Sequence, residues 1–183
     1  MTDGPASGVD ASGPPWVARV RAAPGPSVVM LCGMTGSGKT TLARSLERDL
    51  PALRLSVDPW MIALFGEHMQ REVFDVRAAK LMEIAWDVAL RTTSLGVHVV
   101  LDWGFWRRAE RVEAAERVRT AGATPLLVFL DVPLAALERR LVERNAAPSP
   151  ERFTITSEML AEFAPRFEPP TDEEGIDLVR LTG

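Results

Sequence analysis

Ser27-Val28-Val29-Met30-Leu31-Cys32-Gly33-Met34-Thr35-Gly36-Ser37-Gly38-Lys39-Thr40 is the stretch whose reading decides the fold. Its first six residues are a short, almost unbroken apolar run, the pattern of a strand buried on both faces. The next eight match G-x-x-x-x-G-K-[ST] at every fixed position. A helical run, with Leu42, Ala43, Leu46 and Leu50 in phase, follows directly. Strand, glycine loop and helix in that order make a phosphate cradle. Glycines let the backbone turn its N–H groups inward, and the helix N-terminus adds partial positive charge. Lys39 is then placed for the β- and γ-phosphates of a nucleoside triphosphate, and the Thr40 hydroxyl for Mg²⁺. Gly33, Met34, Thr35, Gly36, Ser37, Gly38 and Thr41 complete the expected nucleotide site. The rival dinucleotide fingerprint fails, because Gly36-Ser37-Gly38 runs into Lys39-Thr40-Thr41 without a third glycine.

Outward from this loop, weaker apolar runs recur at Leu53 to Val57, Val97 to Leu101, Leu126 to Leu130 and Ile176 to Leu181. Helical patterns separate them. Phe74, Leu81, Ile84, Ala85 and Val88 share a face near 70–92; Val112, Ala115 and Val118 near 107–121; Leu134, Leu137 and Leu141 near 133–145. Strands alternating with helices predict an α/β fold: a five-stranded parallel sheet covered on both faces, three layers in all. Residues 1–15 are rich in Gly, Pro, Ser and Ala and read as disordered. A short helix over Trp16 to Ala23 is broken by Pro24-Gly25-Pro26. The expected division is a tail over 1–26 and one domain over 27–183, with a small helical lid near 140–156.

Composition narrows the function. The 183 residues carry a net charge of −4, which argues against a nucleic-acid coat held by charge alone. No apolar stretch reaches the roughly 18 residues of a membrane span, and the first 30 residues lack the apolar region of a signal peptide. A single cysteine, Cys32, fits a reducing compartment, so a cytoplasmic protein is expected; in the first strand it reads as core. His68 and His98 have no ligand-spaced partners, which disfavours zinc. Of 21 basic residues only Lys39 and Lys80 are lysines. Where composition pushes toward arginine, a retained lysine in the phosphate loop points to a chemical requirement. The only asparagine, Asn145, stands in Arg144-Asn145-Ala146, so the N-K-x-D segment of a GTPase is missing.

Beyond the loop, carboxylates follow two apolar runs, in Leu55-Ser56-Val57-Asp58 and Val99-Val100-Leu101-Asp102. Ligands of open α/β sheets bind at that strand edge. Each aspartate could instead cap the helix after it, with Pro59 suiting a first turn. Arg140 and Arg144, four apart, share a helix face before the Pro-rich loop Ala146 to Pro150; Arg139 is a weaker candidate. Trp103-Gly104-Phe105-Trp106-Arg107-Arg108 places aromatics beside a strand end, as core or as a pocket wall. Phe167 to Gly175 reads as a rigid acidic connector rather than a substrate contact.

On these motifs residues 27–182 resemble the small P-loop kinases grouped with zeta toxins, chloramphenicol phosphotransferase and the kinase domain of polynucleotide kinase. The resemblance implies a nucleotide kinase-like P-loop NTPase fold using ATP and Mg²⁺. It implies Asp58 as general base, Asp102 as a Walker B carboxylate holding Mg²⁺ with Thr40, and Arg140 and Arg144 as lid arginines over the transferred phosphoryl group. Arg111 aligns with an arginine that holds phosphate or substrate in the resembling kinases. The acceptor pocket is expected between Asp58, Trp60 to His68, and Trp103 to Arg108, with Trp60, Trp103, Arg107 and Arg111 as contacts. The expected partner is a small-molecule hydroxyl acceptor: an antibiotic, a sugar nucleotide or a nucleoside. A polynucleotide 5′-hydroxyl kinase and a non-kinase ATP-dependent switch are the competing readings; a toxin role is conceivable from the zeta-like resemblance.

Overall fold

The structure is a computed structural model and describes residues 14–146, 149 and 152–183. Five parallel strands lie in the order β2-β3-β1-β4-β5: β1 Ser27–Cys32, β2 Ala52–Leu55, β3 His98–Leu101, β4 Thr124–Asp131 and β5 Asp177–Thr182. The helices between them are α1 Pro15–Arg21, α2 Lys39–Asp49, α3 Val57–Phe65, α4 Arg71–Ser94, α5 Arg108–Thr120, α6 Leu134–Asn145 and α7 Ser157–Phe163. Among the described residues no helix is long and apolar enough to cross a membrane.

Strand β1 shows why there are three layers. Its side chains alternate between faces. Val28, Met30 and Cys32 join one core with Trp86 of α4 and Ala114, Ala115 and Val118 of α5. Val29 and Leu31 join the other with Ala43 and Leu46 of α2. His98 helps set the register at the bottom of the sheet, its Nδ1 accepting the Ser27 N–H at 2.9 Å. Burial lowers its pKa, so the neutral imidazole is the working form.

The α/β class and the parallel sheet hold, with three corrections to detail. The expected tail over 1–26 is too long, because α1 packs Trp16, Val17 and Val20 into the α2-side core. Residues 1–13 of that tail lie outside the described residues. Helix α4 is rotated from the expected face: Ala78, Leu81, Ala85, Trp86 and Ala89 are buried, while Ile84 and Val88 are exposed. Trp86 seeks the sheet, and the alanines allow close approach on its side. Val112 and Leu134 likewise sit at helix margins, 36% and 45% exposed.

Candidate functional site

The loop between β1 and α2 bends where the sequence supplies glycine. Gly33, Gly36 and Gly38 have φ of 148°, 81° and 102°. A Cβ on Gly33 would lie 2.9 Å from Ser37 Oγ and 3.0 Å from the Leu130 carbonyl; one on Gly36 would press on Leu141 of α6 at 3.2 Å. The loop is thus clamped between β4 and α6. Lys39 Nζ donates to the carbonyls of Gly33 at 2.8 Å and Met34 at 2.9 Å. Burial is the main cause that lowers its pKa to about 8, against the opposing pull of Asp102 and Asp58. Ser37 Oγ is buried without a hydrogen-bond partner among the described residues. A cramped glycine turn, an inward ammonium and an orphan hydroxyl are what a bound polyphosphate would engage, so the residues fit the nucleotide.

Asp102 follows β3 directly and is buried. Its Oδ1 accepts the Thr40 hydroxyl at 3.2 Å and its Oδ2 meets Arg54 Nη1 at 3.1 Å. Thr40 and Asp102 therefore converge as the sequence suggests. No cluster of three or more His, Cys, Asp or Glu suited to a metal occurs among the described residues. One hydroxyl and one carboxylate nonetheless suit Mg²⁺, which keeps most of its positions for water and phosphate. Arg54 was not singled out in the sequence. Its signal was a lone charge within an apolar strand run; β2 beside β3 supplies the contact, and Glu47 Oε2 meets its Nε at 3.4 Å.

Asp58 stands one turn further along the chain than expected. Strand β2 stops at Leu55, Ser56 is the N-cap residue of α3, and Asp58 lies in the first helical turn. It therefore does not cap α3, and Asp102 does not cap α5, whose N-cap is Arg107. The Asp58 carboxyl is raised above the usual carboxylate range by burial first and by Asp102 second, while Lys39 and Arg144 pull it down. Its residue surface is nevertheless open to solvent. Those opposing influences show that Asp58, Asp102, Lys39 and Arg144 share one electrostatic neighbourhood.

Helix α6 brings Arg140 to the phosphate loop and Arg144 into the charge neighbourhood of Asp58. Arg140 Nη1 donates to the Ser37 carbonyl at 3.3 Å. Arg144 Nη2 donates to the Phe153 carbonyl at 3.2 Å, and its buried Nε has no partner among the described residues. Met34 packs with Leu137 and Leu141 of α6 and with Leu160 and Phe163 of α7, joining the loop to the helices above it. Trp106 adds a strut: its indole N–H donates to the Gly33 carbonyl at 3.3 Å, and its ring lies 5.3 Å from that of Phe163.

Arg111 is a correction. It is wholly buried, with Nε and Nη2 on the two Glu174 oxygens at 2.7 and 2.6 Å, and Nη1 on the carbonyls of Phe105, Trp106 and Glu168. Burial would lower its pKa; the Glu174 hydrogen bonds outweigh that and raise it. Wholly buried, Arg111 presents no donor to a substrate. The same contacts explain Phe167 to Gly175, whose chain is held by Arg111, by the Arg108 N–H on Glu168 Oε2 at 2.8 Å, and by the Glu168 N–H on the Trp106 carbonyl at 3.0 Å. Trp103 is half-buried, stacked on Phe105 at 5.4 Å and edge-on to Trp86 at 6.0 Å, so most of its surface is core. Trp60 is partly buried between the Trp103 core and the α3–α4 core. Arg107 is exposed.

No curated protein matches the chain. Solved structures do. A candidate kinase from Chloroflexus aurantiacus superposes with a TM-score of 0.68 at 22% identity, covering 86% of this chain and 88% of that one. The Mycobacterium tuberculosis APS kinase CysC, solved with AMPPNP and APS, gives 0.56 at 24% identity over 87% and 90%. The Pnkp1/Rnl/Hen1 RNA repair complex gives 0.64 at 17% identity over 78% of this chain and 44% of that one. The likeness to small P-loop kinases thus holds at the level of the fold. The sequence profile described as AAA domain matches residues 28–170, and with its phosphate loop and Thr40–Asp102 pair in place the chain belongs to that family.

Proposed function

We propose that the protein is an ATP-dependent kinase that transfers the γ-phosphoryl group of Mg-ATP to a hydroxyl of a small molecule. One observation carries this reading: a carboxylate, Asp58, stands in the first turn of α3 in the electrostatic neighbourhood of the loop lysine, of Arg144 and of Asp102, which holds the Thr40 hydroxyl. A pure nucleotide switch has no need of such a base. Asp58 orients the acceptor hydroxyl and takes its proton as the new oxygen–phosphorus bond forms and the bond to the departing ADP breaks. Little base strength is required, because the transition state is loose. Lys39, the loop N–H groups, Arg140 and Arg144 neutralise charge on the phosphates, with α6 and α7 packed on the loop at Met34; residues 147, 148, 150 and 151 of the expected lid lie outside the described residues. Thr40 and Asp102 would hold Mg²⁺, which would supply further neutralisation at the phosphates. A hollow of about 220 Å³ beside Met34, lined by Leu130, Asp131, Val132, Leu137 and Phe167, offers room for part of a base. The acceptor approaches from the side of Asp58, Trp60 and Arg107.

ADP release from Mg-ATP with pooled hydroxyl acceptors tests the proposal. Acceptor-dependent release should fall by about 10²–10³ in Lys39→Ala, the scale of losing one transition-state donor, and comparably in Asp58→Asn with folding intact. Near-normal transfer by Asp58→Asn would sink the base assignment. Acceptor-indifferent ADP release would favour the switch. The likeness to the RNA repair complex keeps one second reading, a polynucleotide 5′-hydroxyl kinase, which a 5′-hydroxyl oligonucleotide in the pool decides.

A further inference from the structure

Gly33 opens the phosphate loop, and one short segment after β3 holds both of its backbone polar groups. Its N–H donates to the Gly104 carbonyl at 3.3 Å, and its carbonyl accepts the Trp106 indole N–H at 3.3 Å. Two features of the chain allow this grip. Phe105, between the two, has a φ of 43°, a left-handed turn that bulky residues rarely adopt. Position 104 has to lack a side chain, since a Cβ there would overlap Nε1 and Cδ1 of Trp106. The segment is itself anchored. Arg111 Nη1 donates to the carbonyls of Phe105 and Trp106, and the indole ring rests against Phe163.

The grip matters because the Lys39 ammonium sits on two loop carbonyls, those of Gly33 and Met34. To reach a phosphate it has to release them. Met34 then keeps a donor from within the loop, the Ser37 N–H at 3.2 Å. Gly33 is buried, and its second donor is the indole, 73 residues away in the chain. We propose that Trp106 is a positioning residue for nucleotide binding: it keeps the Gly33 carbonyl satisfied, and with it the shape of the loop, when Lys39 moves to the phosphates. The nucleotide half of this role rests on the kinase reading; the sharing of one carbonyl between two donors does not. Without the indole N–H, the same movement of Lys39 strands a buried acceptor. That cost falls on the nucleotide-bound state alone, because in the free protein Lys39 still serves the carbonyl.

Urea unfolding of the nucleotide-free protein tests the shared carbonyl. Trp106→Phe leaves it to Lys39, and Lys39→Ala leaves it to Trp106. Only Trp106→Phe/Lys39→Ala strands it, so the double variant should lose more in urea midpoint than the two single shifts add up to. Additive shifts would overturn the proposal. Calorimetric titration with Mg-ATP tests the role in binding. Trp106→Phe keeps a ring against Phe163 and should bind ATP about tenfold more weakly, the scale of stranding a buried carbonyl, with a urea midpoint close to the parent's. Gly104→Ala displaces the indole without removing it and should show the same loss by a separate route. Parent-like affinity in Trp106→Phe would overturn the proposal and leave the kinase reading standing. A parent protein that binds no ATP, with the urea shifts still non-additive, would overturn the kinase reading and this role with it.

Discussion

Arg111–Glu174 and Arg54–Asp102 are the same chemical pair in two settings. The first is sealed, with side chains 0% and 2% exposed, and every arginine donor group is satisfied within the protein. The second is half-open, at 19% and 1%, and its carboxylate also accepts the Thr40 hydroxyl at the phosphate loop. Sealing makes an ion pair a structural commitment, because either partner alone is a buried uncompensated charge. Leaving one side open to a ligand keeps the carboxylate available. The first pair fastens the connector before β5 to α5; the second holds a candidate metal ligand in place.

Removing Arg111 is therefore the harshest way to probe the difference. Arg111→Met should cost about 3–5 kcal/mol, the scale of breaking a buried pair, read as the shift in urea midpoint. Activity per folded molecule should change little, measured well below the transition. A variant of normal stability and lost phosphotransfer would return Arg111 to the substrate site.

These pairs also mark where the sequence stops being informative. The phosphate loop is eight contiguous residues whose strand and helix neighbours are local, so Gly33 to Thr40 could be placed without knowing the fold. Arg111 and Glu174 are 63 residues apart, and Arg54 and Asp102 are 48 apart. Their contacts depend on strand order and on how deep α5 sits, neither of which an apolar run encodes. Helix α4 teaches the same lesson. Its period was legible; its rotation was set by Trp86 meeting a sheet formed elsewhere in the chain.

Arg54→Ala tests the open pair. With Asp102 no longer oriented from β2, the Mg²⁺ needed for half-maximal binding of ATP should rise by about tenfold, the low end for losing a ligand's supporting contact. Stability should fall far less than in Arg111→Met, because Lys39 still faces the carboxylate. Arg54→Lys should recover part of the Mg²⁺ dependence, having the charge without the fork. An Arg54→Ala protein with an unchanged Mg²⁺ requirement would reduce this pair to packing.

The pH response separates the two regions again, since the shifted groups Lys39 and Asp58 lie on the open side. Lys39, at about 8 in the folded protein against 10.5, binds fewer protons folded than unfolded between those values. Its burial penalty is present in full below about pH 8 and is relieved toward pH 10.5, so it raises the stability of the ligand-free protein over that window. Over the same window the ammonium is lost and ATP affinity should decline. Asp58 has the opposite sign: its raised folded pKa means that its contribution to stability falls as pH climbs from the unfolded value through the folded one. Turnover should rise over that interval as the base deprotonates. Asp58→Asn should abolish this acid limb and leave the alkaline decline of ATP affinity; an acid limb that persists would assign it to another group.

Cys32 gives the gentlest test, because it reports on the sealed region without altering it. Its thiol is buried at the end of β1, 3.4 Å from the Phe105 carbonyl that Arg111 also engages at 3.1 Å. Burial pushes its pKa up to about 12. A thiol so placed is neither accessible nor ionised at neutral pH, so iodoacetamide should leave the native protein unlabelled. In Arg111→Met, labelling should follow the unfolded fraction, since opening the clasp exposes the strand end. In Arg54→Ala it should stay at the level of the parent, because that pair lies across β3 from β1. Equal labelling in both variants would mean that the two pairs open as one unit, and the distinction between a sealed and an open pair would be lost.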